Sequence, residues 1–172
     1  MAAIISFEYP LIITIWLVAQ IFVTTWDYTF VLLRPRTMKG GDLFAFWAPY
    51  DLYIQVDKSY GQLDNGFVVA QSIMNIIEIA MVILGLIRRK SFDGFLLILS
   101  ASLMSFSKTV LYMLVDICGG FEFTAHNDWP TFITLYFLPS FVWIVFPAIV
   151  LIWGYGVLKG IYQAATMQHK TK

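Results

Sequence analysis

The sequence predicts an all-α integral membrane protein: a bundle of four transmembrane helices with a structured loop after the first. Three observations carry this. Hydrophobic residues make up 59% of the chain and charged ones only 13%, with a mean hydropathy of +0.75, so polar side chains are too few to cover a water-facing globule of this size. The apolar residues gather into four runs, each long enough to cross a hydrocarbon core of about 30 Å at about 1.5 Å per residue. The polar residues left inside those runs recur at helical spacing.

The runs are residues 10–33, 66–87, 95–115 and 131–158, and nothing between them marks a second domain, so residues 1–172 read as one unit. The first run lacks a basic leader and a small-residue cleavage site and continues through Asp27 to Leu33, which predicts a retained anchor rather than a signal peptide. The link at residues 34–65 carries Pro35, Gly40, Gly41, Pro49 and Gly61 among aromatics, as expected of a structured loop with a short helix through Leu52 to Val56. Its Trp47, Tyr50, Tyr53 and Tyr60 suit a membrane–water interface, from which the link can cap a cavity. Arg88, Arg89 and Lys90 of the second link and Lys159, Lys170 and Lys172 of the tail share one side, while the third link has no Lys or Arg. Both termini are therefore expected in the cytosol, against the opposing weight of Arg34, Arg36, Lys39 and Lys58. The ending His169-Lys170-Thr171-Lys172 partly matches a dilysine retrieval signal and carries no argument alone.

Balanced charge, with 11 basic and 11 acidic residues, provides no field to attract nucleic acid. Cys118 is the only cysteine, which excludes an internal disulfide and a cysteine-based zinc cluster and leaves a packed or lipid-facing thiol. No nucleotide-binding glycine motif occurs, and His126 and His169 lie outside the runs, so no metal and no cofactor are expected. The expected partners are the lipid bilayer and a hydrophobic small molecule, with a homodimer left open.

Each run presents one polar stripe at i, i+3 or i+4, and i+7. The first holds Gln20, Thr24 and Asp27; the second Gln71, Asn75 and Glu78; the third Ser105, Lys108 and Tyr112; the fourth Tyr136, Ser140 and Trp143. A charge in hydrocarbon costs several kcal/mol unless it turns inward and finds a partner, so the stripes are expected to face one another. Counting along the helices places Asp27, Gln71 and Lys108 in one layer with Asn75, Tyr136 and Ser140, and Glu78 deeper. Such a layer describes a polar pocket open toward the side opposite the termini, with Trp26, Tyr112 and Trp143 in its walls. The plain alternative is structural: Asp27 and Glu78 neutralise Lys108 and fix helix packing, while the hydroxyls bond backbone carbonyls.

The segments Tyr53-x3-Asp57-x2-Tyr60-x3-Asp64-Asn65 with Phe67, Val110-Leu111-Tyr112 with Asp116 and Gly120-Phe121, Leu135-Tyr136-Phe137, and Trp143-Ile144-Val145-Phe146-Pro147 span most of the chain. Together they resemble the EXPERA family of emopamil-binding-type sterol isomerases and sigma-2-type sterol-trafficking receptors. The resemblance implies a helical bundle of the endoplasmic reticulum that holds a sterol-like or amphiphilic amine ligand within the membrane. It also implies that the isomerases' first-helix histidine and glutamate fall at Gln20 and Thr24, their second-helix glutamate near Gln71 or Ser72, and their fourth-helix asparagine at Ser140, with the tryptophan kept as Trp26. The scaffold is similar and the reactive set differs.

That departure matters chemically, because protonating an alkene needs a desolvated acid and neither Gln nor Thr is one. Asp27 or Glu78 can serve if burial keeps a carboxyl protonated. Lys108 opposes a carbocation unless paired; unpaired, it favours an enolate or alkoxide. The expected function is a membrane-bound isomerase or cyclase for a terpenoid, sterol-like or polyketide-derived molecule, working by acid–base catalysis. Asp27, Glu78 and Lys108 are the candidate catalytic residues, and Gln20, Thr24, Trp26, Gln71, Asn75, Tyr112, Tyr136, Ser140 and Trp143 the candidate substrate contacts. The alternative is a non-catalytic sterol or lipid-binding protein.

Overall fold

The computed structural model describes residues 7–170, with side chains to Met167, and among these residues every regular element is helical. The side chains of the tail from His169 to Lys172 lie outside the described residues. The chain runs α1 (Leu11–Leu32), a 3-10 turn (Phe44–Trp47), α2 (Tyr50–Val56), α3 (Lys58–Gly61), α4 (Gly66–Ile87), α5 (Phe92–Cys118), α6 (Trp129–Thr131), a π segment (Phe132–Phe137) and α7 (Leu138–Lys170). Four helical stretches are long and apolar enough to cross a membrane: Leu11–Leu32, Gly66–Ile87, Phe92–Cys118 and Trp129–Met167. The protein is a four-helix membrane bundle.

Polar residues outside the spans set where helices begin. The side chains of Asp57, Asn65, Ser91 and Asp128 accept from the backbone N–H of Ser59, Val68, Gly94 and Thr131 at 2.9, 3.2, 3.1 and 2.9 Å, each satisfying a donor that a helix start leaves free. Ser91 and Asp93 therefore open α5 three residues before the expected boundary at 95. The fourth helix continues well past residue 158, because polar composition alone does not stop a helix and no proline follows Pro147.

The spans pack in a ring, α1 on α4, α4 on α5, α5 on α7, and α7 back on α1. Ile13, Trp16, Leu17, Val82, Ile98, Ala101 and Val150 form a buried apolar cluster. It occupies the half of the bundle that also holds the Arg88–Lys90 link, where Phe7 stacks on Phe95 at 4.7 Å. Gly85 and Gly154 permit close helix contact there: a Cβ would lie 2.6 Å from Ile98 Cγ1 in the first case and 2.2 Å from Leu99 Cδ2 in the second. Small residues at such crossings are the usual packing device inside membranes, where apolar burial between helices drives little. Side chains such as Leu11, Ile87 and Ile152 point outward and are exposed to what would be lipid.

The opposite half is closed by the link after α1. Trp26 Nε1 donates to the Phe46 carbonyl at 3.0 Å, and Trp47 Nε1 donates to the Trp26 carbonyl at 2.9 Å. Thr37 Oγ1 donates to the Phe30 carbonyl at 2.7 Å, and Arg34 donates to the Gln62 carbonyl at 3.0 Å. Tyr50 stacks on Phe30 at 4.0 Å within a second cluster that takes in Tyr53 and Tyr60. The rings of these tyrosines turn inward onto α1 and α4, where they cap the cavity. An aromatic ring with one hydroxyl suits a polar lining as well as a headgroup layer.

In the fourth span, Leu138 N–H bonds Ile133 O, five residues back. Pro139 has no N–H, and its ring would crowd the carbonyl four residues before it, so a wider π turn is the local solution.

Candidate functional site

Between the apolar cluster and the link lies a cavity of about 390 Å³, within the range of small-molecule sites. Val23, Thr24, Trp26 and Asp27 of α1, Gln71, Asn75 and Glu78 of α4, and Ser105, Lys108, Thr109 and Tyr112 of α5 line it. The fourth span adds Leu135, Pro139, Ser140 and Trp143, and the link roofs it with Pro49, Tyr50, Leu52, Tyr53, Val56 and Tyr60. One wall is polar and the other largely apolar.

Two polar centres face this space. At the first, Asp27 accepts from the Tyr50 hydroxyl at 2.8 Å and from the Tyr60 hydroxyl at 3.3 Å, one on each carboxylate oxygen. Burial, reinforced by the Asp27 carboxylate, pushes both phenols well above their ordinary range, so they remain donors.

At the second, Lys108 Nζ lies 2.9 Å from Glu78 Oε2, while Gln20 Nε2 donates to Glu78 Oε1 at 2.7 Å. Lys108 also donates to Asn75 Oδ1. Glu78 is 1% exposed and Lys108 7%. The pair meets because α4 and α5 run in opposite directions and helical side chains lean toward their own N-terminus, so Glu78 and Lys108 lean toward each other. Lys108 thus pairs with Glu78 rather than with Asp27, and Glu78 is engaged as a counter-ion instead of standing free as an acid.

The structure brings Asp27, Glu78, Lys108, Thr24, Trp26, Gln71, Asn75, Tyr112, Ser140 and Trp143 to the one cavity. Gln20 is fully buried behind Glu78 and Tyr136 lies outside the lining; for both, the expected place in the pocket is corrected. Gln20 sits one turn deeper than Thr24 on the same face, close enough to Glu78 to be covered by it. Tyr136 is turned toward Asp116 and a smaller cavity of about 120 Å³. Some polar groups in the main cavity are already used: Gln71 Nε2 donates to the Lys108 carbonyl at 3.2 Å, and Ser140 Oγ to the Tyr136 carbonyl at 2.8 Å. Thr24 Oγ1, Ser105 Oγ and the Tyr112 hydroxyl are buried without a hydrogen-bond partner. Sequence reasoning missed Tyr50 and Tyr60 as the donors to Asp27, and no spacing rule across a loop singles out two tyrosines among several.

The smaller cavity joins Asp57 and Asp116. Asp57 accepts from Ser59 Oγ at 2.6 Å, and Asp116 accepts from Phe123 N–H at 3.3 Å. Burial, with nearby Asp116 adding to it against the Ser59 hydrogen bonds and His126, pushes Asp57 up to about 6. These carboxylates cap α3 and tie the third link. Among the described residues no group of three or more His, Cys, Asp or Glu could hold a metal ion.

Compared with family models, curated proteins and solved structures, the chain matches none.

Proposed function

We propose that the protein is a membrane-bound isomerase or cyclase that moves a proton on a hydrophobic terpenoid, sterol-like or polyketide-derived molecule held within the bilayer. One observation carries this: the Asp27 carboxylate, under two tyrosine hydroxyls, and the buried Glu78–Lys108 pair face the same cavity, whose other wall is largely apolar. A carboxylate held by hydroxyls in a water-poor site is a proton-transfer group. Asp27 is the base and then the acid in this reading, and Glu78 positions Lys108. The resemblance to the EXPERA family supports a site in the endoplasmic-reticulum membrane, and the Lys and Arg of the second link and the tail support cytosolic termini.

A second reading has its own observation. Each oxygen of Asp27 already has a donor, and Glu78 already has a cation, as suits a sterol- or lipid-binding protein that performs no chemistry. The experiment compares small molecules from cells with the wild-type chain, with Asp27→Asn and without the protein, alongside the amount of protein in membranes. An isomer or cyclised product that disappears in Asp27→Asn at normal abundance supports the enzyme. Unchanged product removes Asp27 from the chemistry, and ligand retention without conversion by the wild type selects the binding protein.

A further inference from the structure

We infer that the molecule is a neutral ketone, bound with its carbonyl oxygen at Lys108, Ser105 and Thr24 and an enolisable C–H turned to Asp27; this rests on the proton-transfer reading above. The ammonium of Lys108 has three donors. Asn75 accepts one, and Glu78 Oε2 at 2.9 Å is a counter-ion that accepts no hydrogen bond, which leaves a donor for the cavity that Lys108 lines. Ser105 precedes Lys108 by one turn on α5, on the side to which the lysine leans. Its Oγ is buried, cavity-lining and unpartnered, as is Thr24 Oγ1 on the facing helix, at 1% and 3% residue exposure. Buried hydroxyls without partners are costly unless something completes them.

The charge at this layer selects the ligand. Glu78 already neutralises Lys108, so the layer has hydrogen-bond donors to offer and no net charge. At this layer an anion would compete with Glu78 and an amine would meet the ammonium, whereas a carbonyl oxygen accepts from Lys108 and one hydroxyl, and its enolate from all three donors. The same donors stabilise the negative charge that forms when a neighbouring carbon loses a proton. Asp27 follows Thr24 by three residues on the same face of α1, a rise of about 4.5 Å, which places the carboxylate near carbons one to three bonds from the carbonyl.

The step balances within the site. Asp27 takes a proton from the carbon between the carbonyl and a β,γ double bond; the C–H electron pair becomes the enolate double bond, and the C=O π pair moves to oxygen. The carboxyl then returns that proton to the γ carbon as the oxygen pair re-forms the carbonyl, giving the conjugated ketone. Nothing is oxidised or reduced, and no co-reactant is consumed. Tyr50 and Tyr60 position the carboxylate.

The test uses a β,γ-unsaturated steroid ketone and its oxygen-free counterpart with the full chain in detergent. Affinity is read from quenching of tryptophan fluorescence, since Trp26 and Trp143 line the cavity, and proton transfer from the appearance of the conjugated ketone by chromatography. The ketone is expected to bind about tenfold tighter than the hydrocarbon. Thr24→Val with Ser105→Ala should erase that preference while leaving hydrocarbon binding unchanged, and Asp27→Asn should keep ketone binding and stop formation of the conjugated ketone. Equal affinity for the two probes, or a preference that survives Thr24→Val with Ser105→Ala, overturns the inference. A ketone preference with no conjugated ketone formed by the wild type overturns the proton-transfer reading beneath it. Conversion of an alkene that lacks any carbonyl keeps that reading and removes the ketone.

Discussion

Replacing Lys108 by methionine leaves a carboxylate 1% exposed with Gln20 as its remaining close donor. Breaking a buried ion pair from one side costs about 3–5 kcal/mol, because the surviving charge keeps its desolvation and loses its partner. Glu78→Gln, with Lys108 intact, strands the ammonium instead and should cost a similar amount. The double variant removes both charges, and a glutamine at 78 can still bond Gln20, so it should fall within about 2 kcal/mol of wild type. The coupling then comes to at least about 4 kcal/mol, above the roughly 0.5–3 kcal/mol usual between contacting residues. Each variant is titrated in mixed micelles of a mild detergent and SDS, with tryptophan fluorescence as readout. Additive losses, with a coupling below about 0.5 kcal/mol, would refute the claim that these two charges hold each other.

Asp57, with a folded-state value near 6 against an ordinary 3.8, gives the chain a pH signature. A raised carboxyl favours the protonated folded state, so this stabilisation is complete below about pH 4 and is lost as pH rises through 6, by roughly 3 kcal/mol. Melting in detergent from pH 4 to 7 should show that decline in wild type and not in Asp57→Asn; a parallel course in both would dismiss it. Gly85→Ala should destabilise by about 1–3 kcal/mol, because its Cβ would meet Ile98 Cγ1 at 2.6 Å and the Gly94 carbonyl at 3.0 Å. Gly156→Ala, with nothing within 4 Å, should instead match or slightly exceed wild-type stability through helix propensity; equal effects at both sites would argue against the α4–α5 crossing.

The four spans were legible because hydrocarbon imposes length and composition together, and the polar stripes because period 3.6 assigns residues to faces. Facing is coarser than lining. Gln20 shares a stripe with Thr24 and Asp27, yet sits where Glu78 covers it, and stripe membership cannot report which of two inward residues stands in front. Counting rise placed Glu78 below Lys108, but side chains of opposed helices lean toward one another over more than a turn, so the depth of a Cα misjudged where the charges meet. Tyr136 left the expected layer because the π turn beside Pro139 shifts its register, a change that apolar periodicity does not encode. Tyr50 and Tyr60 come from a loop, whose path depends on contacts such as Trp26 with Phe46 and Trp47 with Trp26 that only the folded chain defines.

A π turn holds one residue more than an α-helix fits into the same advance, so the Phe132–Phe137 segment behaves as a tolerated insertion. Deleting one residue there would restore the ordinary winding and rotate everything upstream by about 100° relative to α7, at 3.6 residues per turn. Leu135 would then swing off the cavity wall and Tyr136 away from Asp116, while Trp143 stayed put. The chain's spare residue is therefore a phase setting: it lets one continuous rod present one face to the apolar cluster and another to the cavity mouth.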